Sequence, residues 1–134
     1  SDGKSIERVI SKIRKEIPDV ILRTTMIVGF PGETEEDFEK LYDFVERAKF
    51  EKLGVFKYSK EDGTPASRIK TQVHYKTKQR RYDKIMRLEQ DISRKKLEEK
   101  IGNIYEAVVD GFSDDGKFIC ARSYMDIDYS QILV

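Results

Sequence analysis

The sequence predicts an α/β fold, in which a strand–helix–strand unit is followed by a long helix and a small antiparallel β module. Three observations support this prediction. Apolar residues recur every three or four positions in three segments, as in amphipathic helices. β-rich runs lie on either side of the second segment, and short strand-like runs separated by Asp-Gly turns fill residues 101–134.

The composition is that of a charged globular protein, with 38% apolar and 38% charged residues. The 26 basic and 25 acidic side chains nearly cancel, so the overall charge does not indicate a partner. No apolar run approaches the roughly 18–20 residues that span a bilayer, so we expect no membrane association and a cytoplasmic location. The single cysteine, Cys120, excludes an internal disulfide and a thiolate-bound metal cluster.

The first two elements are a helix and a strand. Apolar residues at helical spacing predict an amphipathic helix over residues 5–17, which Pro18 ends. The β-rich run at residues 20–28 predicts a buried strand.

A turn and a second helix come next. The turn is indicated by Gly29-Phe30-Pro31-Gly32, since glycine and proline permit a sharp change of direction. Thr34 and Asp37 have the spacing of a capping box, so the helix should begin there and fray near Lys49.

A second strand is predicted over residues 53–58, which completes a βαβ unit with two parallel strands. Ligand-binding loops gather at the carboxyl ends of such strands. The turn at residues 29–32 and the loop at residues 59–66 are therefore candidates for cofactor contact.

A long basic helix is predicted over residues 77–100. Ten basic and five acidic side chains lie between Lys76 and Lys100. Short strands are then predicted at residues 104–109, 117–121 and 131–134, with turns between them.

Two segments carry a resemblance to a known family. Residues 22–38 resemble the late-barrel motif of methylthiotransferases in the radical S-adenosylmethionine family. Residues 56–66 resemble the next strand and loop of that family, so the resemblance covers nearly the whole chain. It implies the C-terminal part of a radical SAM partial TIM barrel, followed by an incomplete, TRAM-like antiparallel β-barrel. The implied domains are the late barrel at 1–76, a connecting basic helix at 77–100 and the partial TRAM-like domain at 101–134.

The branch of the family is indicated by two further motifs. The acidic pair Glu61-Asp62 before Gly63-Thr64, and the run at residues 121–126, resemble the RimO type, which modifies an aspartate of a small-subunit ribosomal protein. The alternative is the MiaB type, which modifies transfer RNA. The resemblance therefore implies a small-subunit ribosomal protein or the ribosome as partner, with transfer RNA as the alternative.

The resemblance also implies S-adenosylmethionine and 4Fe-4S clusters as cofactors of the parent enzyme. The cluster cysteines of the family are absent here, so we expect no metal ligand, no catalytic residue and no activity from this chain alone. The implied cofactor-binding residues are Arg23, Thr25, Ile27, Gly29, Phe56 and Tyr58. The implied substrate-docking residues are Arg122 and Tyr124.

The residues by themselves leave other interpretations open. The turn at 29–32 could be an ordinary strand-to-helix turn, and Phe56 and Tyr58 could pack in the core. Arg23 should either lean into solvent or meet a carboxylate.

Other side chains have structural interpretations. His74 should lie on the surface, and Cys120 should be a small core residue. The basic helix, including Arg94-Lys95-Lys96, could be a solvated face, or it could contact RNA together with the TRAM-like module. A non-catalytic RNA- or ribosome-binding module therefore remains an alternative.

Overall fold

The computed structural model describes residues 3–126 and 130–133, and it divides the chain into two compact units, residues 1–99 and 100–134. The helices are α1 (Gly3–Glu16), α2 (Glu35–Ala48) and α3 (Tyr75–Lys100), with a short 3-10 turn at Ala66–Arg68. The strands are β1 (Arg23–Val28), β2 (Lys52–Lys57), β3 (Val108–Phe112), β4 (Phe118–Arg122) and β5 (Ser130–Leu133). None of the described helices is long and apolar enough to span a membrane.

The first unit contains the predicted strand–helix–strand arrangement. Strands β1 and β2 pair in parallel, with Ile27 opposite Phe56 and Thr25 opposite Gly54. The ladder continues past β2, because the backbone N–H of Tyr58 donates to the carbonyl of Val28 at 2.8 Å. The prediction of a βαβ unit with two parallel strands is therefore confirmed.

Helix α2 begins where the capping box was predicted. The N–H of Asp37 donates to Oγ1 of Thr34, and the N–H of Thr34 donates to the Asp37 carboxylate, each at 3.0 Å. These two bonds satisfy donors that the first turn of a helix otherwise leaves without partners. The hydrogen bonds from Thr34 also hold the pKa of Asp37 below its usual range.

The core of the first unit lies on one face of the two-stranded sheet, under α2 and α3. Its buried members are Val28, Phe38, Val45, Val55, Ile85 and Ile92. Because Ile85 and Ile92 belong to α3, the long helix is an integral part of this unit.

The prediction of a buried strand at residues 20–28 was wrong in two respects. Strand β1 begins only at Arg23, and its residues alternate between the core side and an exposed side. Ile27 is 55% exposed, and its neighbour Phe56 on β2 is 59% exposed. Helices cover only one face of the sheet, so one set of alternate side chains remains open to solvent.

The second unit is a three-stranded antiparallel sheet in the order β3-β4-β5. A bulge between Val109 and Gly111 interrupts the pairing of β3 with β4. The strand predicted at 104–109 begins instead at Val108, and residues 103–107 have no regular secondary structure. The strand predicted at 131–134 lies at Ser130–Leu133, and residue 134 falls outside the described residues.

Candidate functional site

The exposed face of the β1–β2 sheet brings together most of the residues predicted to bind a cofactor. Alternation along β1 puts Arg23, Thr25 and Ile27 on the face away from the core, and all three are exposed. Phe56 joins them because it is paired with Ile27 across the strands. The face therefore offers an apolar centre with a hydroxyl and a guanidinium beside it.

The strand tips form a second feature, at the carboxyl edge of the same sheet. The ring of Tyr58 packs edge-on against Phe30, with 5.3 Å between the ring centroids. The phenol oxygen of Tyr58 is buried and has no hydrogen-bond partner among the described residues. Tyr58 is thus held at the edge of the sheet, beyond the last paired residue of β2.

Gly29 is one of the residues implied for cofactor binding, but its N–H already has a hydrogen-bond partner within the chain. It donates to Oε1 of Glu33 at 3.0 Å. The same carboxylate oxygen accepts a hydrogen bond from Arg81 at 2.7 Å, and the Arg81 side chain is only 5% exposed. The first strand tip is therefore tied to α3 through a buried, charge-assisted hydrogen bond.

The space beside Gly29 is also filled by the chain itself. Gly29 has a φ of 77°, and a Cβ built there would lie 2.3 Å from Cγ of Lys78. Glycine is required for both reasons, since left-handed backbone disfavours other residues and the lysine stem approaches closely. In this structure the close approach is made by Lys78.

A second ion pair extends this network to the surface. Arg80 donates two hydrogen bonds to the Glu35 carboxylate at 3.0 and 2.8 Å, and Arg81 adds a third at 3.2 Å. The hydrogen bond from Arg80 is the main cause that lowers the pKa of Glu35 to about 2. The start of α2 and the first turns of α3 are thereby joined.

A buried acidic pair lies near the opposite end of β2. Glu51, just before β2, accepts hydrogen bonds from Arg14 at 2.7 and 3.1 Å. Glu89 of α3 is buried, and neither of its carboxylate oxygens has a hydrogen-bond partner among the described residues. Burial, and then the negative charge of Glu51, raise the pKa of Glu89 to about 7.

The residues predicted to dock a substrate lie together in the second unit. Arg122 donates to both carboxylate oxygens of Asp110, at 2.9 and 3.1 Å. Tyr124 is exposed, and its ring centroid is 6.4 Å from that of Tyr105. Arg122, Tyr105 and Tyr124 line a shallow cavity of about 740 Å³.

Two predictions about single residues are confirmed. His74 is exposed, and Cys120 is buried in β4. The described residues contain no group of three or more potential metal ligands.

A basic cleft beside the second strand tip was not predicted from the sequence. It is lined by Lys57, Tyr58, Ser59, Tyr75, Lys76, Lys78 and Gln79, and has a volume of about 600 Å³. Its residues come from two segments separated by the loop after β2. An aromatic residue next to two lysines at the start of α3 was the one available signal.

Three known proteins that are similar to this chain share one description. A ribosomal protein uS12 methylthiotransferase RimO from Alkaliphilus oremlandii is 58% identical over 127 residues, which are 95% of this chain and 29% of that protein. The protein of the same description from Acetivibrio thermocellus is 44% identical over 97% of this chain and 29% of its own length. A third, from Pelobacter propionicus, is 43% identical over 96% of this chain and 29% of its own length. No family model matches the chain.

These similarities confirm the predicted relationship to the methylthiotransferases. The chain spans about 29% of the length of these relatives. Within that class, the relationship is to the RimO type.

Proposed function

We propose that this chain is the C-terminal part of a radical S-adenosylmethionine methylthiotransferase that modifies an aspartate of a small-subunit ribosomal protein. The relatives are described as acting on ribosomal protein uS12, which supports this choice of substrate over transfer RNA. The first unit would form the late wall of a partial TIM barrel. The second unit would be a partial TRAM-like domain.

The open face of the β1–β2 sheet is the observation that carries the proposal. Parallel sheets almost always have both faces covered by other parts of the protein. Here Ile27 and Phe56 lie side by side with more than half of each side chain exposed. In the proposed enzyme, this face would line the interior of a barrel completed by strands from outside the 134 residues.

The residues of this face fit S-adenosylmethionine. Ile27 and Phe56 form a flat apolar surface suited to an adenine ring, with the hydroxyl of Thr25 on the same face. The exposed guanidinium of Arg23 suits a carboxylate. Bound there, S-adenosylmethionine would supply the radical chemistry, while the chain would bind and orient it. Gly29 would act indirectly, by fixing the shape of the strand tip.

The donor atoms of this chain do not fit an iron–sulfur cluster. Such clusters need several thiolates, and Cys120 is the only cysteine of the sequence. In the proposed enzyme, residues outside this chain would hold the cluster, so we propose that the chain alone is inactive. Arg122 and Tyr124 would contribute to docking of the ribosomal protein.

The cofactor site is tested in the full-length enzyme that contains this chain, by calorimetric titration with S-adenosylmethionine. Ile27→Glu places a charge in the apolar centre of the face and should weaken binding at least tenfold. Val9→Glu on α1 is the matched control, because Val9 is 57% exposed and lies outside the sheet. Unchanged affinity in Ile27→Glu would refute the assignment of this face.

The substrate is tested separately, by mass spectrometry after reaction with the purified ribosomal protein or with transfer RNA. The proposal requires a methylthio group on the ribosomal protein's aspartate. Modification of transfer RNA alone would instead establish the MiaB-type activity.

A further inference from the structure

The basic cleft beside Tyr58 lies on the helix side of the sheet, away from the open face that contains Phe56. Lys57 follows Phe56 directly, so its side chain leaves the strand on the other side. It reaches α3, where Nζ donates to Oε1 of Gln79 at 2.6 Å and lies 5.6 Å from the ring centroid of Tyr82. Of the six residues implied for cofactor binding, the cleft is lined only by Tyr58, at the strand tip, so it is distinct from the open face that contains Ile27 and Phe56.

The three lysines of the cleft are Lys57, Lys76 and Lys78, and their printed hydrogen bonds go to neutral groups. Lys57 donates to a neutral amide oxygen, and Lys78 donates to the carbonyl of Tyr58 at 3.1 Å. No ion pair is formed by Lys57, Lys76 or Lys78 within the described part of the chain. The nearest acid in this hydrogen-bond network is Asp83, which accepts from Gln79 at 2.9 Å. Three positive charges thus face one cleft with little local compensation.

The basic run Arg94-Lys95-Lys96 on α3 differs from the cleft because it has acidic neighbours. Arg94 lies 3.5 Å from the Asp91 carboxylate, and Lys96 lies 3.8 Å from Glu51. Acids within the chain therefore already neutralise part of that run, whereas they leave the cleft positive. The electrostatic attraction of an anionic partner is therefore stronger at the cleft than at that run.

An exposed aromatic platform borders the same lysines. Tyr75 is 69% exposed, and one face of its ring is stacked on His74 with 4.5 Å between the ring centroids. His74 is fixed in turn, because its Nδ1 accepts a hydrogen bond from the N–H of Lys76 at 3.1 Å. A supported ring among lysines is the arrangement with which proteins bind single-stranded nucleic acids, through base stacking and phosphate contacts.

We propose that this cleft binds a single-stranded segment of RNA, with a base stacked on Tyr75 and the adjacent phosphates held by Lys57, Lys76 and Lys78. The volume of about 600 Å³ is sufficient for a nucleotide. The supported aromatic ring favours RNA over an acidic peptide, since a carboxylate chain has no ring to stack. The choice of RNA over DNA rests on the proposed function, in which the substrate belongs to the ribosome.

The test is fluorescence anisotropy of the whole chain with a labelled, unstructured ten-nucleotide RNA over a series of salt concentrations. Tyr75→Ala should weaken binding about tenfold, because it removes one base-stacking contact. Tyr75→Phe should stay within about twofold of the unaltered chain, since the ring remains. Lys76→Ala should lower the slope of log affinity against log salt by about one, as expected for the loss of one phosphate contact.

Lys12→Ala on α1 is the matched control, because it removes the same charge from an exposed helical position outside the cleft. It should leave the affinity and the salt slope nearly unchanged. Equal losses in Lys12→Ala and Lys76→Ala would overturn the proposal, as would full affinity in Tyr75→Ala. A poly-glutamate peptide that binds at Lys76 more tightly than the RNA would overturn it in favour of an acidic protein partner. The assay requires no catalysis, so its failure is distinct from a failure of the methylthiotransferase proposal.

Discussion

The buried carboxyl group of Glu89 should make the stability of the first unit depend on pH. Burial and the nearby Glu51 raise its pKa from an ordinary value near 4.5 to about 7. The folded chain therefore holds a proton on Glu89 at pH values where the unfolded chain has released it. The contribution of Glu89 to the free energy of unfolding is fully present below about pH 4.5 and is lost as the pH rises towards 7.

The size of this effect follows from the shift of the pKa. One pKa unit corresponds to about 1.4 kcal/mol, so the rise of the pKa from 4.5 to about 7 corresponds to about 3–4 kcal/mol at most. Both oxygens are buried, so solvent screening removes little of this figure. The positive charges of Lys96 and Lys52 act in the opposite direction and are already reflected in the raised value.

Glu89→Gln keeps the shape of the side chain and removes its titration. We compare the free energy of unfolding of the variant with that of the unaltered chain. The difference should shift in favour of the variant by about 3 kcal/mol between pH 4 and pH 8. Urea unfolding followed by circular dichroism at both pH values measures this difference. The contributions of groups that titrate alike in both proteins cancel in the difference. Glu98→Gln, an exposed change on the same helix, should show no such trend. A stability difference for Glu89→Gln that stays constant with pH would refute the reasoning.

Three further substitutions test contacts around the first strand tip, each by urea unfolding. Thr34→Ala should lower the free energy of unfolding by about 1 kcal/mol, because it removes the cap of α2; an unchanged midpoint would contradict this. Gly29→Ala should cost about 1–2 kcal/mol for the left-handed backbone alone, and more if Lys78 cannot move away. Arg81→Met should cost about 3 kcal/mol, since it leaves the Glu33 carboxylate without its buried partner; adding Glu33→Gln should recover part of that loss.

Local signals in the sequence predicted the elements of the first unit well. The capping box at Thr34 depends on residues three apart, so its geometry is encoded locally. The start of β1 was less predictable, because residues 20–22 are apolar but lie before the first paired residue, Arg23. Pairing with β2 sets that boundary, and no local pattern contains this information.

The sequence could predict neither which faces are covered nor which residues meet in the basic cleft. Alternation predicts which side chains share a face, yet it does not say whether anything covers that face, as Ile27 and Phe56 illustrate. Lys57 and Lys76 meet only because α3 returns beside the tip of β2. Contacts between distant segments depend on how the helices pack, and sequence spacing does not reveal that.

The hydrogen bond from Gly29 to Glu33, and the ion pair from Glu33 to Arg81, have a consequence for ligand recognition. The edge of the sheet cannot shift without disrupting a buried pair, so its shape is set before any ligand arrives. At the proposed cofactor site on the neighbouring open face, binding would then carry little cost for ordering the backbone, as in other preorganised sites. Breaking the pair between Glu33 and Arg81 should therefore weaken binding at the proposed site, although neither side chain belongs to the open face.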